Sequence, residues 1–213
     1  MGILKNGITG KVIGKVGNLV FYVINGKQVV RTVGKNTTAA TLPQLISRME
    51  MQVINGVLKH IQAFIYIGFK QVVEGLNAQP YNMAVSYNKK HAMQGTYPNI
   101  EIAYNKLLVS QGDLLPAIDP AVTMTPTGLN FTWNCPETLR WPRPTDQVMV
   151  LVYFPLINKA VYILSGNERL CCATTLSLSD NLLTEYMEIY ISFIAESRNK
   201  IANSTYLGNF NKL

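Results

Sequence analysis

Hydrophobic and polar positions follow three different patterns along the chain, and each pattern predicts a different kind of element. Residues 1–40 show strand and turn patterns, since Val16 to Val23 is apolar, aromatic and β-branched. Asn25-Gly26 follows it, and this dipeptide is the strongest short signal for a two-residue hairpin. We therefore predict a β-ribbon with strands Leu19–Ile24 and Lys27–Val33.

Residues 42–95 have the pattern of helices. Apolar residues recur there at spacings of three and four, as they do on one face of a helix. The residues of this stripe are Leu42, Leu45, Ile46, Met49, Val53, Val57, Ile61, Phe64 and Ile65. Gly75 and Pro80 bracket the end of this long helix, and a second, shorter helix is predicted around Tyr81–Met93. A strand over Ile100–Leu108 follows.

The last part of the chain has the pattern of a β-sandwich. A proline-rich linker is predicted over Leu115–Pro126, and short strands then recur at spacings of about 8–12 residues. The candidate strands are Leu129–Asn134, Gln147–Phe154, Lys159–Ser165, Cys172–Leu178, Tyr186–Glu196 and Ser204–Phe210. Several have an apolar side and a mixed side, which suits sheets whose second face is covered or contacts a partner.

These patterns together predict an α+β chain. An N-terminal β-ribbon and a long helix come first, and an antiparallel β-sandwich follows. We predict a basic β-ribbon and helical domain over residues 1–115 and the sandwich over residues 116–213.

The positive charge of the chain is concentrated in its first half. The net charge is +7; residues 1–118 hold 12 Lys/Arg and 4 Asp/Glu, whereas residues 119–213 hold 7 and 8. A basic surface attracts nucleic acid, anionic lipid, acidic polysaccharide or the acidic face of another subunit, and the alternative interpretation is solubility alone. The predicted basic surface consists of Lys11, Lys15, Lys89 and Lys90.

The chain has no recognisable targeting signal or disulfide framework. Its N-terminus lacks the apolar region of a signal peptide, and no apolar run is long enough to span a membrane. The three cysteines, Cys135, Cys171 and Cys172, are an odd number with an adjacent pair, which favours free thiols in a reducing compartment. We expect synthesis as a soluble cytoplasmic protein; its final place, in the cytoplasm, an extracellular assembly or a virion, stays open.

No set of residues with the spacing of a catalytic or metal site is found in the sequence. Gly10–Val16 is one residue short of a P-loop and ends in Val where Ser or Thr holds magnesium. His60 and His91 have no Cys, Asp or Glu at metal-ligand spacing. No nucleophile lies beside a predicted base. We therefore predict no catalytic residue, no cofactor, no metal and no small-molecule substrate, and hence a protein that is not an enzyme.

The candidate interface combines aromatic and basic residues. Phe21, Tyr22, Lys27 and Arg31 share the ribbon, whose unpaired edge is a template for strand addition. Trp141 and Arg143 lie in a Pro-rich loop that suits a contact site, the alternative being a rigid turn. The first hypothesis is a structural or self-assembling homo-oligomer held by β-ribbon contacts. The alternative hypothesis is a binding module for an acidic polymer, nucleic acid or polysaccharide, that uses the basic N-terminal half.

Two resemblances add to this picture. Leu129–Trp133 with Glu188–Phe193 resembles a fibronectin type III or immunoglobulin-like sandwich, which implies that Trp133 is its core tryptophan. The whole chain resembles an uncharacterised Bacteroidota family, a domain of unknown function. That second resemblance rests on residues 6–8, 14–18, 30–31, 67–70, 84–88, 112–114, 146–148, 192–194 and 203–208. It implies the architecture and the lineage, and it implies no catalytic residue.

Overall fold

The computed structural model describes residues 2–4, 10–35, 38–135 and 145–212. The chain forms two compact units, a first unit of Met1–Thr41 and a second unit of Leu42–Leu213. Residue 115, at which the sequence places a domain boundary, lies inside the second unit. The chain as a whole is α+β, as the sequence predicts.

The first unit is one antiparallel sheet of four strands in chain order. The strands are β1 (Gly2–Leu4), β2 (Val12–Val16), β3 (Leu19–Ile24) and β4 (Lys27–Thr32). The turn between β3 and β4 is Asn25-Gly26, and both residues have positive φ, 49° and 76°. This is the conformation that a two-residue hairpin turn requires. The predicted ribbon is confirmed, with its second strand one residue shorter than expected.

The second unit begins with helices and a hairpin. The elements are α1 (Leu42–Leu58), α2 (Gln62–Gly68), α3 (Pro80–His91), β5 (Met93–Thr96) and β6 (Asn99–Ile102). A 3₁₀ turn, Lys59–Ile61, separates α1 from α2, so the predicted apolar stripe continues across two helices. At Gly68, where α2 ends, an added Cβ would collide with the carbonyl oxygen of Val109. The predicted strand Ile100–Leu108 is realised only as β6.

Seven strands and a short helix complete the second unit. They are β7 (Ile118–Thr125), β8 (Gly128–Asn134), β9 (Gln147–Phe154), β10 (Lys159–Ile163), β11 (Ala173–Ser177), α4 (Asp180–Leu183), β12 (Met187–Ile194) and β13 (Thr205–Phe210). One antiparallel sheet has the order β10-β9-β12-β13, and the other has the order β11-β8-β7. All six predicted strands are present, each within two residues of its expected ends.

The predicted linker Leu115–Pro126 is wrong, because most of it forms strand β7. Pro120 and Pro126 suggested a connection, since proline cannot donate a ladder hydrogen bond. However, β7 lies at the edge of its sheet, and its register shifts between Ile118 and Ala121. An edge strand with a bulge is the place where a sheet accepts proline.

The sheet β10-β9-β12-β13 is covered on both faces. Val148, Val150 and Val152 of β9 lie in a core shared with the three-stranded sheet. Met149 and Leu151 on the other face lie in a core shared with α1, α2 and α3. The second unit therefore has three layers: helices, a central sheet and an outer sheet.

Candidate interaction surface

The first unit carries nearly all of the net charge. Residues 1–41 hold six Lys/Arg and no Asp/Glu, whereas residues 42–213 hold 13 and 12. The charge is therefore +6 in the first unit and +1 in the second. A sheet whose ionisable side chains are all positive repels a copy of its own charged side and attracts anions.

The register of the strands sorts the first unit into two faces. Paired residues of neighbouring strands lie on the same face, and successive residues lie on opposite faces. One face, here called the uncharged face, carries only apolar residues, glycine, Gln and Thr within the four strands. Its members in β2, β3 and β4 are Val12, Gly14, Val16, Leu19, Phe21, Val23, Gln28, Val30 and Thr32.

The opposite face, here called the basic face, carries the charged residues of the strands. Lys15, Val20 and Arg31 form a row across β2, β3 and β4. Lys27 is paired with Ile24 at the turn end of the same face. The guanidinium of Arg31 lies 5.9 Å from the centre of the Tyr22 ring, which is within the range of a cation–π contact.

The uncharged face is largely open to solvent. Among the residues of the first unit that the structure describes, none is buried. Val16 is 51% exposed and Val30 is 47% exposed, and both lie on the uncharged face. Ile24 on the basic face is 50% exposed. Contiguous apolar surface of this kind marks interaction sites on soluble proteins.

The structure divides the predicted interface residues. Phe21 lies on the uncharged face, whereas Tyr22, Lys27 and Arg31 lie on the basic face. Trp141 and Arg143 lie outside the described residues. The sequence interpretation missed Val16, Leu19, Val23 and Val30. The signal was available, because a two-residue turn pairs Ile24 with Lys27 and so determines which residues share a face. These four missed residues belong to the six apolar or aromatic residues of the uncharged face in β2, β3 and β4.

The predicted basic surface is also divided. The Lys11 ammonium donates to the carbonyl oxygen of Gly26 at 2.7 Å, within the first unit. In the second unit, the Lys89 ammonium lies 3.4 Å from the Glu50 carboxylate and donates to the Ser47 hydroxyl at 2.7 Å. Lys89 thus joins α3 to α1. Lys15 and Lys90 are exposed.

Several motifs of the resemblance meet at the segment 107–114 of the second unit. Asn88, which is fully buried on α3, donates to the carbonyl oxygen of Leu108 and accepts from its N–H, both at 2.8 Å. The Ser110 hydroxyl donates to the Ser192 hydroxyl of β12 at 2.7 Å. Buried polar groups satisfied in this way hold helices and sheet together. The residues of these motifs therefore have a structural role, which is to join α3, the segment 107–114 and β12.

A buried ion pair lies at one end of the sandwich. Arg169 is 2% exposed, and its Nε lies 3.5 Å from the Asp146 carboxylate. The guanidinium also donates to the carbonyl oxygen of Leu115 at 2.9 Å and lies 3.6 Å from the centre of the Phe193 ring. The Trp133 indole donates to the Arg169 carbonyl at 2.7 Å. Burial lowers the pKa of Arg169, and Asp146 opposes that shift.

A second buried acidic side chain, Glu188 of β12, is enclosed by tyrosines. Tyr186 and Tyr206 donate their hydroxyls to its carboxylate, the latter at 2.6 Å. Burial, followed by the hydrogen bond to Glu188, raises the pKa of Tyr206 to about 12. Burial also raises the pKa of Tyr153 to about 12. These phenols stay protonated at neutral pH, so they act as hydrogen-bond donors.

No group of three or more His, Cys, Asp and Glu side chains among the described residues is placed to hold a metal ion. His91 lies against Tyr87, with ring centres 4.6 Å apart. Within the described part of the chain, no helix has the length and apolar character needed to cross a membrane.

These features define an α+β protein in which an exposed β-sheet unit precedes a three-layer unit. The chain belongs to a family of unknown function, DUF6266, whose model matches residues 8–208. The predicted membership of a domain of unknown function is thereby confirmed. No curated protein and no solved structure matches the chain.

Proposed function

We propose that this protein is a non-enzymatic structural protein that self-assembles through its first unit. It would be a subunit of a filament, particle or surface assembly. The uncharged face carries the proposal, because it is apolar, exposed and free of charged residues within the four strands. A second copy is the partner that fits it, since packing two uncharged faces together leaves both basic faces outside in water.

The lack of a core within the first unit supports this arrangement. Two sheets that pack face to face form a core about 10 Å thick from their inner side chains. A sheet with one apolar face must bury that face against another layer. The described residues of the first unit contain no buried side chain of their own. Association therefore supplies the core that this sheet lacks.

Native mass measured by light scattering after size exclusion tests the proposal. The monomer mass is 23.7 kDa, and we expect a larger species that persists in high salt. Val30→Lys places a charge in the contact and should weaken association about 100-fold. Ile24→Lys is the matched control on the basic face, because Val30 and Ile24 are 47% and 50% exposed. A 23.7 kDa particle at every concentration, or equal effects of both variants, would rule the proposal out.

The basic face favours a second candidate function, binding of an acidic polymer. Lys15, Lys27 and Arg31 lie on one face with Tyr22, which is the combination that neutralises phosphate or sulfate groups and stacks on bases or sugar rings. Binding of single-stranded DNA and of heparin should weaken steeply with salt. The variant Lys15→Gln with Arg31→Gln should reduce the affinity about tenfold, whereas Val30→Lys should not reduce it. Salt-independent binding would exclude this function.

We also propose that the sandwich is of the fibronectin type III kind and that the family belongs to the Bacteroidota. The arrangement of three strands against four supports the first statement, as does Trp133, which is 3% exposed between the sheets. An experimental structure of Leu42–Leu213 would test it. A different order of strands in either sheet would contradict it.

A further inference from the structure

Two of the three cysteines lie at neighbouring strand ends in the sandwich. Cys135 directly follows β8, and Cys172 directly precedes β11. These strands pair with each other, and the Trp133 N–H donates to the Cys172 carbonyl at 3.0 Å. Cys135 and Cys172 are half-buried, whereas Cys171 is exposed.

The geometry brings the two thiols together. Cys172 lies opposite Trp133, and Cys135 follows Trp133 by two residues, so the two cysteines are diagonal neighbours across the ends of the two strands. Cys172 has a left-handed backbone, with φ of 54°, at the end of the 3₁₀ turn Arg169–Cys171. The Cys172 thiol donates to the carbonyl oxygen of Leu170 at 3.4 Å. Burial, followed by the neighbouring Cys172, raises the pKa of the Cys135 thiol.

We propose that Cys135 and Cys172 form a site of reversible oxidation, at which a peroxide closes a disulfide between the ends of β8 and β11. The Cys172 thiolate attacks the peroxide oxygen, which gives a sulfenic acid and releases water or an alcohol. The Cys135 thiol then attacks the Cys172 sulfur, which forms the S–S bond and releases water. Each disulfide takes two electrons from two thiols, and one peroxide is reduced. A dithiol reductant reverses the modification.

The assignment of roles follows from the surroundings. Burial, followed by the neighbouring Cys172, raises the pKa of the Cys135 thiol, which disfavours Cys135 as the attacking group and leaves it to resolve the sulfenic acid on Cys172. Cys171 is the neighbour of Cys172 in the chain, and a bridge between adjacent cysteines is strained. Cys171 is therefore outside the site, and it supplies a matched control one residue away.

The test uses the full-length protein with hydrogen peroxide as the oxidant. Thiols are titrated in denaturant before and after treatment, and the products are measured by mass spectrometry without reduction. The Cys171→Ser protein should go from two thiols to none, with an intramolecular link between the peptides that contain Cys135 and Cys172. The disulfide should raise Tm by about 5–10 °C, and a dithiol reductant should reverse this rise.

Three results would overturn the proposal. Cys171→Ser could retain both thiols under conditions that oxidise Cys171 in the wild-type protein. It could form only links between molecules. Cys135→Ser could form an intramolecular disulfide, from Cys171 and Cys172, as fast as the wild-type protein does. Each variant replaces only one thiol by a hydroxyl, so we expect every variant to fold. Equal Tm values of the reduced variants and the reduced wild-type protein would verify this.

Discussion

The two units each contain a four-stranded antiparallel sheet, but only one of these sheets is covered. In the second unit, the sheet β10-β9-β12-β13 packs against helices on one face and against β11-β8-β7 on the other. In the first unit, β1 to β4 present an apolar face, and no described residue there is buried. The second unit therefore has hydrophobic cores of its own, whereas the described part of the first unit has none.

The comparison also explains where the charge lies. The second unit has nearly balanced charge. It buries one ion pair, Arg169–Asp146, and one acidic side chain, Glu188, that accepts hydrogen bonds from tyrosines. The first unit is too small to bury a sizeable core, since domains below about 40 residues rarely fold without further support. Its apolar face is the surface that the proposed association would bury.

The largest expected loss of stability comes from breaking the buried ion pair of the second unit. Arg169→Ala leaves the fully buried Asp146 carboxylate without its guanidinium. Removal of one partner from a buried pair costs about 3–5 kcal/mol. Urea unfolding should show this loss of the free energy of unfolding. Lys159→Ala, an exposed cation on edge strand β10, is the control and should change it by less than about 0.5 kcal/mol. Equal losses in both variants would contradict the role of Arg169.

A pair of leucine truncations compares the two sheets directly. Leu151 in β9 is 0% exposed, whereas Leu19 in β3 is 40% exposed. Leu151→Ala should destabilise the protein by about 3 kcal/mol, because it removes packing and leaves a cavity. Leu19→Ala should cost less than about 0.5 kcal/mol in the monomer. A loss of 2 kcal/mol or more at Leu19 under monomeric conditions would show that the uncharged face is already covered.

Local signals were enough to predict most of the strands. The Asn25-Gly26 turn and the alternation in Gln147–Phe154 each depend on neighbours within a few residues. The linker prediction failed at Pro120 because an edge position is a property of the whole sheet and cannot be seen in a local pattern. The break of the helix at Lys59–Ile61 was equally out of reach, since no Gly or Pro occurs there.

The sequence predicted some residues of the candidate surface but not the face on which each one lies. Phe21, Tyr22 and Arg31 were identified from residue type, but their assignment to two faces required the register of the strands. The Arg169–Asp146 pair joins residues 23 positions apart, and no periodic pattern links them. An acidic residue on a strand is ordinarily exposed, yet Glu188 is 1% exposed, because helices and tyrosines cover that face. Such burial depends on layers that are distant in sequence.

Alkaline pH should act on the second unit through its buried tyrosines. Burial raises the pKa of Tyr153 to about 12, so the fold favours the neutral phenol. The stability from this preference is fully present below pH 10, near the unfolded pKa, and is lost as pH rises through about 12. At about 1.4 kcal/mol per pKa unit, the loss for Tyr153 between pH 9 and 12 is at most about 2 kcal/mol, since solvent screening reduces it. Tyr153→Phe should remove that part of the pH dependence in unfolding curves measured between pH 9 and 12. If Tyr153→Phe left the pH dependence of the free energy of unfolding unchanged, the pKa of Tyr153 would be the same in the folded and unfolded states.

The smallest expected effect comes from removing the first unit altogether. Neither core of the second unit includes a residue before Val53, so Leu42–Leu213 should keep its cooperative unfolding. We expect a free energy of unfolding within about 1 kcal/mol of that of the full-length protein under monomeric conditions. The peptide of residues 1–41 should lack a stable sheet in dilute solution, because a small sheet without a packed face is marginal in water. Circular dichroism and urea unfolding measure both. If the truncated protein lost several kcal/mol, the uncharged face would belong to the core of its own chain, and self-assembly through it would be untenable.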